Sequence, residues 1–256
     1  MATKKVTSLE VAKLAGVSQS AVSRVFTPGA SASKKTNEKV LSAAAELGYR
    51  PNILARSLIT GKSRIIGLVV SHLDNYFYPE ALELLSNALQ KKGYHVLVFM
   101  ASKTSGNIDD VVDEILDYQV DAIILASIAM SSNLANRCVA AGVPVMLFNR
   151  SQDDDRFSTV TSDNFLGGQK VARFLIAGGH KRIGYIAGWE GASTQHDREA
   201  GFIEELKQHG SSLYAREVGN FNQDEARQAT RKMFSKKEIP DAVFVASDDM
   251  AFAVMD

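Results

Sequence analysis

The stretch TSLEVAKLAGVSQSAVSRVF, residues 7–26, decides the fold of the first part of the chain. Thr7 and Glu10 have the spacing of a capping box, in which two side chains satisfy free N–H groups at the start of a helix. Gly16 can adopt the positive φ that ends a helix, and Ser18 can cap a new helix two residues later. This spacing predicts a helix-turn-helix, two short helices joined by a tight turn.

The second of these helices has one apolar face and one polar face. Val22, Val25 and Phe26 recur at the i, i+3 and i+4 spacing of a buried helix face. The residues on the other side are short and polar apart from one arginine: Gln19, Ser20, Ser23 and Arg24. Arginine can bond guanine with two N–H groups and glutamine suits adenine, so this side is typical of a helix that reads bases in the major groove. The alternative is an ordinary solvated helix face.

A third helix is predicted after a loop at 27–32. It begins at Ser33 or Thr36, either of which can serve as its N-cap, and it ends at Gly48. Its expected apolar stripe consists of Val40, Leu41, Ala44 and Leu47. The first helix is expected to bury Leu9, Val11, Ala12, Leu14 and Ala15. Lysines near the start of the third helix suit phosphate contacts; they are Lys34, Lys35 and Lys39.

Charge is unevenly distributed along the 256 residues, although the formal net charge of the chain is zero. Residues 1–64 contain 11 lysine and arginine side chains and three glutamates, a net charge of +8. The remaining residues contain 18 basic and 26 acidic side chains, a net charge of −8. A basic head on an acidic body is the expected footprint of a nucleic-acid-binding segment, and a solvated basic surface is the alternative.

The composition excludes several classes of protein. With 45% hydrophobic and 23% charged residues, the chain is typical of a globular protein rather than a disordered one. The single cysteine, Cys138, excludes an intramolecular disulfide and suits a reducing compartment. The charged start lacks the apolar region of a secretory signal, and no run approaches the about 18 apolar residues that a membrane span needs. We therefore expect a cytoplasmic protein.

From residue 64 onward, predicted strands and helices alternate. The strands are short apolar runs rich in isoleucine and valine, as buried parallel strands are. They are predicted at 64–70, 95–100, 121–126, 143–148, 158–161, 182–187 and 242–246. The pattern restarts after a linker at 149–157, which predicts two βαβ lobes at about 64–160 and 161–256. Ligands of open α/β sheets bind where the strands end, so we expect a cleft there.

A more specific resemblance covers residues 6–70. The tracts TSLEVAKLAGVSQSAVSRVF and EKVLSAAAELGYRPNILARSL resemble the lactose/galactose-repressor family of bacterial transcription regulators. The resemblance implies an all-α helix-turn-helix head at 1–50, a hinge helix and linker at 51–63, and an α/β periplasmic-binding-protein-like, two-lobed effector-binding domain at 64–256. Three further tracts resemble that sensor domain: VTSDN at 160–164, REAGF at 198–202 and ASDDMA at 246–251.

The resemblance also implies which residues meet DNA. In the family the second helix reads the major groove, and a hinge helix enters the minor groove with a leucine wedge, here Leu58. The implied DNA-binding residues are Thr7, Ser18, Gln19, Ser20, Ser23, Arg24, Ser33, Lys35, Asn52, Ala55, Arg56 and Leu58. An ordinary linker helix docked on the larger domain is the alternative for the hinge.

Candidate effector contacts lie where predicted strands end. They are Tyr76, Phe77, Asn149, Arg198, Phe221 and Asp248, and the resemblance implies pocket positions for them. Aromatic rings cover the apolar side of a sugar while polar groups bind its hydroxyls. Phe77 and Phe221 have plain packing as the alternative, and Asp248 has helix capping. Weaker candidates are Gln195, His196 and Arg150.

Catalytic and metal-binding motifs do not compete with this interpretation. The sequence has no G-x-S-x-G, no H-E-x-x-H, no cysteine and histidine set with metal spacing, and no G-x-G-x-x-G after a strand. We therefore expect neither an enzyme nor a metal site nor a cofactor.

These observations together predict a DNA-binding transcriptional regulator, a repressor. It would bind palindromic double-stranded operator DNA as a homodimer, under the control of a sugar or similar small metabolite held between two lobes. Family members continue beyond the position of Asp256, so the resemblance implies an incomplete second lobe. The alternatives are a truncated member without stable dimerisation or normal regulation and, less favoured, a transport-type sugar-binding protein.

Overall fold

The structure is a computed structural model that describes residues 6–27, 29–51, 61–71, 73, 75–101, 108–128 and 131–256. The chain divides into two compact units, Met1–Ser63 and Arg64–Asp256. Within the described residues, no helix is long and apolar enough to cross a membrane.

The first unit contains three helices in its described part: α1 (Ser8–Ala15), α2 (Gln19–Val25) and α3 (Lys34–Leu47). The capping box predicted for α1 is present, since the Thr7 backbone N–H donates to Glu10 Oε2 at 2.7 Å. Gly16 ends α1 with a φ of 64°, in the left-handed region that glycine adopts without strain. The helix-turn-helix prediction is confirmed.

A small core joins the three helices. Val11, Val22 and Val40 contribute one fully buried side chain from each helix. The predictions for three leucines are wrong, because about half of each side chain is exposed: Leu9, Leu14 and Leu41. At 100° per residue they flank the buried stripes, which on α3 run through the predicted Val40 and Ala44 and also through Ala43.

The second unit alternates strands and helices. Its elements in chain order are β1 (Ile65–Val70), α4 (Phe77–Lys91), β2 (His95–Met100), α5 (Ile108–Asp117), β3 (Ala122–Ala126), α6 (Ser132–Ala140), β4 (Val145–Phe148), β5 (Ser158–Val160), α7 (Asn164–Ala177), β6 (Ile183–Ala187), α8 (Ser193–Gln208), β7 (Ala215–Val218), α9 (Gln223–Phe234), β8 (Ala242–Val245) and α10 (Asp248–Met255). They build two lobes, each centred on its own sheet.

Both sheets are parallel in every described pairing. The first has the strand order β2-β1-β3-β4-β5, and the second has the order β7-β6-β8. Strand β5 belongs to the first sheet because Phe148 pairs with Val160, so the second lobe begins only after β5. Parallel strands bring their carboxyl ends to one edge, and the residues that follow those ends can therefore meet.

Each face of the first sheet is covered. Val69 and Leu125 pack on one face with residues of α5 and α6, while Leu68 and Ile124 pack on the other with Tyr78 of α4. Successive side chains of a strand point to opposite faces, and burial on both faces explains the near-continuous apolar runs. The core of the second sheet surrounds Tyr185.

Candidate functional site

The polar side of α2 forms an exposed surface on the first unit. Gln19, Ser20, Ser23 and Arg24 are all exposed, whereas Val22 is buried behind them. The Ser18 side chain caps the helix by accepting from the Ala21 N–H at 3.2 Å. Gln19 Nε2 donates to Ser8 Oγ of α1 at 2.9 Å.

Two further candidate DNA contacts cap helices. Thr7 is the N-cap of α1, and Ser33 is the N-cap of α3, where its Oγ accepts from the Thr36 N–H at 3.2 Å. Lys35 is exposed in the first turn of α3. Helix starts carry free N–H groups and a partial positive charge, which suit a phosphate oxygen. The four hinge candidates lie outside the described residues; they are Asn52, Ala55, Arg56 and Leu58.

The second unit holds a cleft of about 830 Å³ at the carboxyl ends of the strands of both sheets. All six predicted effector contacts line it: Tyr76, Phe77, Asn149, Arg198, Phe221 and Asp248. Among the weaker candidates, Arg150 also lines the cleft. Gln195 is instead fully buried behind it, where its side-chain oxygen accepts from the Tyr185 hydroxyl (2.9 Å) and the Gly188 N–H (2.6 Å). His196 is exposed on α8.

The aromatic part of the cleft lies at the start of α4. The Phe77 ring is stacked on Phe148, with centroids 5.8 Å apart and planes 8° apart. Tyr78 meets the edge of Phe77 and accepts a hydrogen bond from Asn149 Nδ2 at 3.0 Å. Tyr76 is 82% exposed, so it stands at the rim rather than within the stack.

The cleft is lined by residues with a strained backbone. Ser127, Asn149 and Phe221 each have a φ between 55° and 64°, and they follow β3, β4 and β7 respectively. Residues other than glycine pay a conformational cost in this left-handed region, and such strain clusters at ligand sites. The Phe221 ring lies so close to Gly188 that a Cβ there would overlap it.

Arg198 joins three elements at the back of the cleft. From α8, its Nε donates to Asn164 Oδ1 at 2.9 Å, and its Nη1 donates to the Ala246 carbonyl at 2.6 Å. Burial lowers the pKa of Arg198, and the nearby Tyr185 and Asp248 partly offset this. Asp248 is exposed in the first turn of α10.

The capping alternative for Asp248 is wrong. The N-cap of α10 is Ser247, whose Oγ accepts from the Met250 N–H at 3.3 Å. The Asp248 carboxylate is therefore not used as a helix cap and lines the cleft.

Arg150, one of the weaker candidates of the sequence, connects the two lobes. It follows β4 and is 6% exposed. Its Nη2 donates to Ser127 Oγ of the first lobe at 2.8 Å, and its Nη1 donates to Thr194 Oγ1 of α8 at 3.0 Å. A second bond runs from the Ser151 N–H to Ser193 Oγ at 2.9 Å. The only sequence signal was an arginine immediately after an apolar strand.

Comparison with known proteins gives the family. Residues 8–52 match the family described as "Bacterial regulatory proteins, lacI family", and residues 66–256 match "Periplasmic binding protein domain". The sucrose operon repressor of Streptococcus mutans is 31% identical over 247 residues, which are 96% of this chain and 75% of that protein. The chain belongs to the lacI family of bacterial regulatory proteins.

Other similar proteins agree with this assignment. The fructose operon regulatory protein of Vibrio cholerae is 28% identical and matches 96% of this chain and 77% of that protein. A crystal structure of the lac repressor dimer, bound to operator and the anti-inducer ONPF, has a TM-score of 0.87 and 29% identity over 98% of this chain and 77% of that one.

The lacI-family chain is a DNA-binding transcriptional regulator. Its predicted fold class, a helix-turn-helix head and a periplasmic-binding-protein-like α/β domain, is confirmed. Among the described residues of this lacI-family member, no group of three or more histidine, cysteine, aspartate or glutamate side chains is arranged to hold a metal ion.

Proposed function

We propose that the protein is a repressor that reads a palindromic operator with α2. Its affinity for that operator falls or rises when a sugar or similar small metabolite fills the cleft. The observation that carries the proposal is the joint occurrence of two surfaces in one chain. One is the exposed polar side of a helix-turn-helix, and the other is the 830 Å³ cleft with its aromatic and polar walls. A transport-type binding protein has no use for the first surface.

On DNA, α2 enters the major groove, and Arg24 and Gln19 contact base edges. Arg24 has two N–H donors for guanine, and the Gln19 amide has a donor for adenine N7 and an acceptor for the adenine N6 amino group. Ser20 and Ser23 lie on the same exposed side and contact bases or phosphates. Lys35 and the start of α3 contact the phosphate backbone.

In the cleft, the rings of Phe77 and Phe221 cover the apolar side of the metabolite. The Asn149 amide, the Arg198 guanidinium and the Asp248 carboxylate supply donors and acceptors for its hydroxyls. Two of the similar proteins are named for the sucrose and fructose operons, which supports a sugar-related effector.

Control of DNA binding follows from the position of the cleft between two lobes. A metabolite that contacts both lobes stabilises one arrangement of them over another, and it changes operator affinity only through that difference. The bonds from Arg150 to Thr194 and from Ser151 to Ser193 cross between the same lobes and set their arrangement without ligand.

A second copy of the chain completes the operator complex. One face of α4 is apolar and exposed, with a groove of about 490 Å³ that includes Ala81, Leu84, Leu85 and Ala88. Leu84 is among the most exposed of the large apolar side chains. Association through this face buries it and presents two heads to the two halves of a palindrome.

Such a regulator of transcription works in the cytoplasm by binding, without catalysis.

The test selects DNA from a random pool with the whole chain and measures affinity for the enriched duplex and for a scrambled duplex. We expect an enriched palindrome that binds about a thousandfold or more tightly than the scrambled control, with an affinity that falls steeply with salt. Adding neutral and anionic sugars to the complex then identifies those that change the affinity at least about fivefold. Failure to enrich any sequence contradicts the proposal.

A further inference from the structure

The charged side chains that line the cleft differ in how far they are buried. Arg150 is 6% exposed and Arg198 is half-buried. The carboxylates of Glu80, Asp163 and Asp248 line the same cleft but are exposed, and that of Asp249 is half-buried and accepts from Gln223 Nε2 at 2.8 Å. The most buried charge of the cleft, that of Arg150, is therefore positive, and the exposed charges at its rim are negative.

The acceptors around Arg150 are all neutral. Within the described residues, its guanidinium donates to the Asn149 carbonyl at 2.8 Å and to the Ser127 and Thr194 hydroxyls. Its Nε is buried and has no hydrogen-bond acceptor in the part of the chain that the structure describes. Among the residues that the structure describes, the buried positive charge of Arg150 thus has no counterion.

Arg198 of α8 also donates its hydrogen bonds to neutral oxygens, although the Asp248 carboxylate lies near enough to offset part of its charge. Its two bonds go to the neutral oxygens of Asn164 and Ala246, which leaves further N–H groups of the guanidinium for a ligand. Arg198 and Arg150 also repel each other, and burial together with this repulsion lowers the pKa of Arg150.

Elsewhere in the same unit, partly buried charges are paired. The Glu205 carboxylate, 1% exposed, accepts two bonds from Arg173 at 2.7 and 2.9 Å. Arg216 donates to Glu199 and to Glu190. Taking a charge out of water without a partner is costly, and of the two buried charges among the described residues, Glu205 has an ionic partner and Arg150 has none.

We infer that the effector is an anionic metabolite, a sugar phosphate or a sugar acid, whose anionic group lies beside Arg150 and Arg198 while its hydroxyls face the rim carboxylates. The inference rests on the proposed function and narrows the ligand class of the same cleft. Guanidinium groups bind phosphate and carboxylate with short, charge-assisted bonds, and a neutral sugar leaves the charge of Arg150 uncompensated. The negative rim disfavours a ligand with a second anionic group at its other end.

The first test compares each neutral sugar with its own anionic derivatives by calorimetry. The probes are D-glucose with D-glucose 6-phosphate and D-glucuronate, D-fructose with D-fructose 1-phosphate and D-fructose 1,6-bisphosphate, and inorganic phosphate. We expect at least one singly anionic derivative to bind about tenfold or more tightly than its neutral parent, and the bisphosphate to bind more weakly than the monophosphate. The tighter of phosphate ester and uronate identifies the anionic group. The inference is overturned if the neutral parents bind as tightly as their anionic derivatives, or if none of the probes binds.

The second test separates charge recognition from the bridging role of Arg150. Arg150→Gln removes the charge, Arg150→Lys keeps it, and Arg216→Gln is the control at an arginine that already has carboxylate partners. We expect Arg150→Gln to abolish the preference for the anionic probe, with Arg150→Lys retaining part of it and the control retaining all of it. Equal weakening of neutral and anionic probes by Arg150→Gln assigns the residue to lobe bridging alone and overturns the inference. The comparison of neutral and anionic probes on the wild-type protein tests the inference even when a variant does not fold.

Operator binding distinguishes failure of this inference from failure of the proposed function. Neutral sugars that change operator affinity while anionic ones do not leave the repressor proposal standing and overturn the anionic effector. An anionic probe that binds at Arg150 without changing operator affinity supports the ligand class and contradicts the proposed control.

Discussion

In the proposed function, single side chains on α2 set how the head distinguishes DNA sequences. Arg24 is exposed, and within the described part of the chain its guanidinium makes one long hydrogen bond, of 3.5 Å, to the Ser20 carbonyl, so it is available to a base. Lys35, on α3, is equally exposed but suits a phosphate.

We expect Arg24→Ala to cost about 1–3 kcal/mol in operator affinity and to relax the preference at one base position. Lys35→Ala is the matched control, and it weakens binding to all duplexes alike while lowering the salt slope by about one. Anisotropy titrations on the selected operator and on single-base variants measure both. If Arg24→Ala loses the same affinity on every duplex, Arg24 contacts the DNA phosphate backbone rather than a base.

Another residue-scale prediction concerns pH. Hydrogen bonds from Arg173 hold the pKa of Glu205 below its usual range, so the carboxylate stabilises the folded state above the ordinary pKa of a glutamate. This contribution is lost as pH falls through the lowered pKa. We expect Glu205→Gln to be less stable than wild type at neutral pH and to lose less stability on acidification.

Glu204→Gln is the control for this prediction, because Glu204 is the exposed neighbour on the same helix. Denaturant unfolding at several pH values measures the difference. Parallel stability curves for wild type and Glu205→Gln contradict the assigned role.

At the scale of elements, α7 and α8 lie unusually close. A Cβ on Gly201 of α8 would overlap the Phe165 carbonyl, and a Cβ on Gly168 of α7 would overlap the Arg198 carbonyl. These two glycines let the helix backbones touch, and the contact holds Asn164 and Arg198 within bonding distance.

We expect Gly201→Ala to separate the helices, to destabilise the fold by about 1–3 kcal/mol and to weaken effector binding. Gly167→Ala is the control, since Gly167 has open space around its Cβ position, and it is expected to stabilise α7 by about 0.5–1 kcal/mol. Thermal unfolding and calorimetry measure the two effects. A Gly201→Ala variant with unchanged stability contradicts the close packing.

Sequence patterns located most elements because their apolar periodicity is strong. Strand His95–Met100 has the predicted bounds, but β7 was missed because it is a polar edge strand that carries Arg216 and Glu217.

The six effector candidates could be selected from the sequence because ligands of open α/β sheets bind where the strands end. All six line the cleft at the carboxyl edges of the sheets. The inward position of Arg150 could not be predicted, because spacing does not show which residue after a strand turns inward. The positive φ of Asn149, the preceding residue, depends on tertiary structure and is not predicted by a local pattern.

At the scale of the whole molecule, two bonds link the lobes on which the proposed control depends. We expect Thr194→Val, which removes the Thr194 acceptor of Arg150 at nearly constant volume, to change the coupling between effector and operator by about 0.5–2 kcal/mol. Thr230→Val is the control, because the hydroxyl of Thr230 donates to the Ala226 carbonyl within its own helix. Operator titrations with and without effector measure the coupling, and identical behaviour of the two variants contradicts the role of this bond.

The most direct measurement is the dissociation constant of the effector for the free protein and for the operator-bound protein, by calorimetry at one salt concentration. Linkage requires that the factor by which the effector changes operator affinity equals the factor by which the operator changes effector affinity. Our account predicts equal factors of about fivefold or more. An effector that binds the free and the operator-bound protein with the same affinity contradicts the claim that the cleft controls the head.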